Sequence, residues 1–178
     1  LGNAWTVEAW IQPTAAAGDV FARSLAAGAY NMRLFFDGGQ LKAQFTDTGG
    51  ATVTSAAGAT IATDGTWTHV AASFSSADMT LRLYVNSEEV AAAAQSGITL
   101  PASNGVGPVQ TLIGNGFTGL IDELRVWAQP RDEDDLSDAM SRTLIGNEAG
   151  LVAYFRFDDG QAAADPAGTQ DFVSTLAE

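Results

Sequence analysis

Along Trp5-Thr6-Val7-Glu8-Ala9-Trp10-Ile11-Gln12 the odd positions are apolar and most even ones polar. A period of two predicts a strand with one buried face. Pro13 is expected to end it, because proline cannot donate to a ladder. Tyr30, Met32, Leu34 and Phe36 repeat the alternation, Asp37-Gly38-Gly39 supplies a hairpin turn, and Leu41, Ala43 and Phe45 share a face on the return. A second hairpin follows the Gly- and Thr-rich stretch 46–66. Its first strand carries Val70, Ala72 and Phe74 on one parity, and its second carries Leu81, Leu83 and Val85. Asn86-Ser87 then turns into 88–94, and a further strand is expected over 117–128. The segment 96–110 holds Gly, Pro and Asn and is long enough to be a functional loop.

One helix is predicted. In Pro130-Arg131-Asp132-Glu133-Asp134-Asp135-Leu136 an Asp stands at the cap and further acids fill the first turn, where negative charge offsets the unpaired N–H groups. Leu136, Ala139 and Met140 give it an apolar stripe at helical spacing. A helix start accounts for the acidic run without a metal. Strands at this density, without crossover helices, predict an all-β chain built as two antiparallel sheets packed face to face with one short helix.

Composition narrows the function. The 178 residues suit one domain with a real core, and 46% are apolar. Twenty-one acids against eight basic residues leave a formal net charge of -13. A surface this negative repels phosphate backbones and anionic lipid, so nucleic acid is excluded as a partner. No apolar run is long enough for membrane insertion as a helix. The acid excess reads either as solubility outside a cell or as a supply of calcium ligands. With no cysteine in the chain, disulfides and thiolate chemistry are excluded. The chain is expected to be a piece of a longer secreted or cell-surface protein, its export signal upstream.

Three segments carry a family resemblance. They are Trp5 to Pro13; Trp67-Thr68-His69-Val70-Ala71 followed by Leu81-Arg82-Leu83-Tyr84-Val85-Asn86; and Ile113-Gly114 followed by Phe117-Thr118-Gly119-Leu120-Ile121-Asp122-Glu123-Leu124-Arg125-Val126-Trp127. In order and spacing the chain resembles the laminin-G-like jelly-roll domains of the concanavalin-A-like lectin/glucanase superfamily. The resemblance implies a jelly-roll sandwich over 1–178, with 146–178 either closing this domain or leading into a following repeat. It also implies a non-catalytic extracellular module that binds carbohydrate or glycoconjugate and serves adhesion, with calcium assisting. A protein-binding or spacer module and a polysaccharide-degrading hydrolase are the alternatives. Two departures stand out: the strand that usually precedes Trp5 is missing, and Ser87 replaces the glycine common after the hairpin Asn.

Asp122 is the foremost candidate for chemistry. On an unbroken strand it would share a face with Leu124 and Val126, so its carboxylate needs a cation or several hydrogen bonds. By resemblance it is a ligand of a structural Ca²⁺; otherwise it bonds backbone N–H groups or an arginine. Asp158 and, more weakly, Asp165 are further metal candidates, although acids near a Gly-rich turn are ordinary turn residues. His69, the only histidine, reads as a structural, hydrogen-bonded residue. A glycoside hydrolase needs two carboxylates held roughly 5–10 Å apart across the scissile bond. Asp122 and Glu123 are adjacent and should point to opposite faces, so no enzyme is expected. Trp5, Trp10, Trp67, Trp127 and Tyr84 offer faces that could stack on sugar rings, but all sit in regularly alternating strands, so core packing is expected for most of them. Asn104 and Asn115, on loops, offer amides suited to sugar hydroxyls.

Overall fold

In a computed structural model, which describes residues 4–55, 57–94, 99–102, 110–158 and the backbone of 172–173, two antiparallel sheets lie face to face. The strands are β1 (Ala4–Ala15), β2 (Gly18–Ala26), β3 (Ala29–Asp37), β4 (Gln40–Thr46), β5 (Thr52–Thr54) and β6 (Thr68–Ser75). They continue as β7 (Thr80–Val85), β8 (Glu88–Ala94), β9 (Gln110–Ile113), β10 (Thr118–Trp127), β11 (Leu151–Phe155) and β12 (Phe172–Val173), with the helix α1 at Glu133–Met140. One sheet runs β12-β11-β10-β1-β6-β7-β8, the other β5-β4-β3-β2-β9.

The alternating residues meet between the sheets. Trp5 pairs across to Phe74 and Leu81, and Val7 to Ala72 and Leu83. From the five-stranded sheet come Met32, Leu34, Phe36, Leu41, Ala43 and Phe45, all buried, and the Phe45 ring meets the Phe74 ring edge-on at 4.8 Å. Each such Leu or Phe contributes about 1.5–3 kcal/mol by leaving water.

Two expectations fail on β1. The strand does not stop at Pro13; it runs on to Ala15, with Pro13 opposite Gly119 and a register shift just after it. A bulge tolerates the missing N–H, and a Cβ on Gly119 would come within 2.3 Å of the Gln12 carbonyl oxygen. Nor is β1 half-buried, since Thr6 and Glu8 on its other face are as inaccessible as Trp5. The cover is α1 and the chain around it. Asp132 caps the helix, its side chain accepting from the Asp135 N–H at 3.0 Å, and Leu136 sits on Ala71 and Tyr84 of the seven-stranded sheet. Strand β2, an interior strand of the smaller sheet, has no counterpart in the predicted elements, because register shifts after Asp19 and Arg23 break its alternation.

Candidate functional site

The outer face of the seven-stranded sheet is built around one irregularity. Glu8 lies opposite Arg125 while Trp10 lies opposite Asp122, so β10 spends one residue more than β1 over this step. Glu123 absorbs the excess at φ 50°, in the left-handed region. Leu124 and Val126 stay in the core and Ile121 packs against it, which turns Asp122 outward beside Trp10. The expectation that Asp122 points to the apolar side is therefore corrected, and so is the expectation that Asp122 and Glu123 face opposite ways. Both line one cleft.

Beneath that cleft a row of outward side chains crosses the sheet. Tyr84, Ala71, Glu8, Arg125 and Tyr154 are successive cross-strand partners. Glu8 is wholly buried; its carboxylate accepts from Trp127 Nε1 at 2.8 Å, meets His69 Nε2 at 3.1 Å and lies 3.8 Å from Arg125. Burial alone would raise its pKa, but the bond and charge of His69, the charge of Arg125 and the indole N–H outweigh it and hold the carboxyl below its usual range. Arg125 donates to the Ala139 and Arg142 carbonyls at 2.8 and 2.6 Å and to Glu123 at 2.5 Å. The last turn of α1 has no basic residue, so this sheet arginine supplies the cation that helix C-termini favour. His69 is thus the structural residue expected, and the carboxylate beside it is Glu8.

The cleft, about 370 Å³, opens where this cover ends, and is lined by Trp10, Trp67, Asp122, Glu123 and the segment Met140–Thr143. Trp10 Nε1 donates to the Met140 carbonyl at 2.8 Å, fixing one wall. Trp67 stands just before β6 and is 38% exposed. Asp122 Oδ1 accepts from the Glu123 N–H at 2.8 Å; among the described residues Oδ2 has no hydrogen-bond partner. Partial burial first, then the charges of Glu123 and Asp158, push the Asp122 carboxyl above its ordinary value. Glu123 is already committed, one oxygen to Arg125 and to the Tyr154 hydroxyl at 2.5 Å, the other 3.9 Å from Arg156.

The remaining candidates are scattered. Asp158 pairs with Arg156. Asn115 sits in the β9–β10 turn and donates to Asp19 at 3.3 Å, on the side of the five-stranded sheet, away from the cleft. Asn104 and Asp165 lie outside the described residues. No three acids or histidines gather closely enough to hold a metal ion among the described residues. Calcium takes six to eight oxygens, and of the two described metal candidates Asp158 is already paired with Arg156. No helix among the described residues is long and apolar enough to cross a membrane.

Of the aromatic residues assigned to the core, Trp5 lies between the sheets, and Trp127 and Tyr84 are buried on the outer face. Trp10 and Trp67, which line the cleft, are the ones outside the core. The signal for the cleft was present in the chain: Ile121 and Leu124 are three apart and Val126 two further on, a phase break in the apolar rhythm that marks a bulge.

A second hollow, about 510 Å³, holds Arg82, Tyr84, Glu89 and residues 132–134. Arg82 there pairs with Asp78 and Glu89, and Tyr84 is buried, so it offers no open aromatic face.

Comparison with known proteins agrees with this architecture. The family model described as the concanavalin A-like lectin/glucanases superfamily matches residues 1–137. No curated protein sequence matches the chain. Among solved structures, a Bacteroides ovatus protein provisionally designated as carbohydrate binding superposes with a TM-score of 0.68 at 20% identity, over 92% of this chain and 48% of that one. Domain 4 of AbnA, a GH43 extracellular arabinanase from Geobacillus stearothermophilus, in complex with arabinotriose, gives 0.58 at 21% identity, covering 77% of this chain and 66% of that one. The CBM40 of the Ruminococcus gnavus IT-sialidase, bound to α2,3-sialyllactose, gives 0.53 at 16% identity, covering 77% and 82%. The chain spans about half the length of the first of these.

Proposed function

The chain belongs to the concanavalin A-like lectin/glucanases superfamily, and from that premise we propose that it is a non-catalytic module binding carbohydrate in the Trp67 cleft. The observation that carries the reading is the meeting there of a partly exposed indole with a carboxylate oxygen that no described residue bonds. A sugar ring has an apolar C–H face and a rim of hydroxyls; Trp67 offers a surface to the first, and Asp122 Oδ2 accepts from the second. Ser141 and Thr143, both exposed at the mouth, add hydroxyls. Arabinotriose and sialyllactose in the similar structures support the class of ligand.

Hydrolysis has poor support in this geometry. It needs one carboxylate free to act as base or nucleophile across the bond from the acid. Asp122 and Glu123 are neighbours on one wall, and Glu123 is held by Arg125 and Tyr154. The net charge of -13 and the extracellular arabinanase among the similar structures support a place outside the cell for the parent protein. Titration calorimetry against neutral and acidic oligosaccharides, with Trp67→Ala beside the parent chain, is the test. Binding that Trp67→Ala abolishes is expected; a parent chain silent to every sugar defeats the reading.

A further inference from the structure

We infer that the Trp67 cleft selects uncharged sugars and turns away carboxylated and sulfated ones, an inference resting on the carbohydrate reading of that cleft. The charge of its walls is the reason. Of the cations around it, Arg125 is spent on Glu123 and the carbonyls after α1, and Arg156 lies between Glu123 and Asp158. Arg142 is the lining cation that remains, and it is exposed on the segment after the helix. Against it stand Asp122 and a Glu123 only partly neutralised, because Arg125 also faces the buried Glu8 at 3.8 Å; both acids are held by the backbone bond and the bulge on the sheet side. Partial burial first, and then the charges of Glu123 and Asp158, raise the proton affinity of Asp122, so a second negative charge at this wall meets both lost hydration and like-charge repulsion.

A ligand carboxylate placed on the Trp67 indole meets the same field and leaves Asp122 without a donor. A ring carrying only hydroxyls has no such conflict. Its O–H groups donate to Oδ2, and its C–H face covers the indole. The chain's net charge of -13 works in the same direction at long range.

Two probe pairs are used: cellobiose and its glucuronic acid-terminated counterpart, which differ only in one carboxylate, and lactose and 3′-sialyllactose, in which the acidic member carries a whole additional sialic acid. Each is titrated by calorimetry at low and at moderate salt. The neutral member of at least one pair is expected to bind, about tenfold or more tighter than its acidic partner, with an affinity that salt leaves nearly unchanged. Trp67→Ala removes that binding, and Asp122→Asn, which keeps the shape but weakens the acceptor, reduces it by a smaller factor. An acidic member that binds more tightly than its neutral partner, through Trp67, overturns the selectivity and leaves the sugar-binding reading standing. Neutral binding that survives Trp67→Ala overturns the placement. Silence of all four probes, with the protein shown folded by its near-ultraviolet spectrum, counts against the sugar reading and this inference together.

Discussion

The two outer faces of the sandwich carry similar charged groups and treat them differently. On the five-stranded sheet, Arg33 pairs with Asp19 at 2.7 Å and lies over the Tyr30 and Phe35 rings at 4.5 and 3.9 Å. No helix of the described residues covers this face, and the arginine side chain keeps 22% of its exposure. On the seven-stranded sheet, Arg125 keeps 1% and Glu8 none. The first pair sets a partly exposed arginine on a buried Asp19 that Asn115 also reaches, and it ties together strands of one sheet. The second ties the helix and the segment after it to the strands, and so fixes the walls of the cleft. Burial decides which pair the fold depends on, because an ion left alone in a dry interior has no water to replace its partner.

That contrast breaks or holds on paired substitutions. Arg125→Ala removes three donated bonds and the buried cation beside Glu8 and Glu123, and is expected to cost about 3–5 kcal/mol. Arg33→Ala leaves Asp19 with Asn115 and some water, and is expected to cost roughly 1–2 kcal/mol. Urea denaturation of both variants gives the comparison, and equal losses would erase the distinction. A milder probe of the same network is Trp127→Phe, which keeps most of the buried ring but removes the N–H bonded to Glu8. It should cost roughly 1–3 kcal/mol. At the cleft the effect on folding shrinks further. Trp67→Ala trims an indole that is 38% exposed and should cost about 1–2 kcal/mol, while sugar binding is lost. A large fall in melting temperature would show that Trp67 supports the sheet instead of a ligand.

Much of the sandwich was legible in the chain, because its inward residues obey the two-residue period that burial on one face imposes. Trp5, Val7, Phe74 and Leu83 announce themselves in this way. The helix was legible too, from Asp132 and the Leu136–Ala139 stripe. What escaped lies where a second constraint acts. Thr6, Glu8 and His69 look like solvent-facing positions of half-buried strands, and only the packing of α1 over them, settled by contacts 125 or so residues away in the chain, makes them interior. Strand β2 escaped because its bulges erase the alternation. Asp122 was found as a position of interest, but its direction was misjudged, since a single extra residue at Glu123 reverses the parity of everything before it.

Glu8 and Asp122 lie on the same face and shift in opposite senses, so they sharpen the comparison by pH. Glu8 titrates lower in the folded chain than in the unfolded one. Its contribution is present above the unfolded value of 4.5 and is lost as the pH falls through the lower folded value. Asp122 titrates higher when folded, so its ionised form costs stability at neutral pH, and the cost disappears as the pH falls below the unfolded value of 3.8. Asp122→Asn imitates the protonated state. At pH 7 it is expected to be more stable than the parent by under about 1 kcal/mol, since water in the cleft screens the neighbouring acids. That advantage should fade as the pH drops through the folded value toward 3.8. Melts of the two proteins across that range read the effect directly. A variant less stable than the parent at pH 7 would mean that the carboxylate is held by bonds worth more than the repulsion of Glu123 and Asp158, and the negative wall ascribed to the cleft would have to be given up.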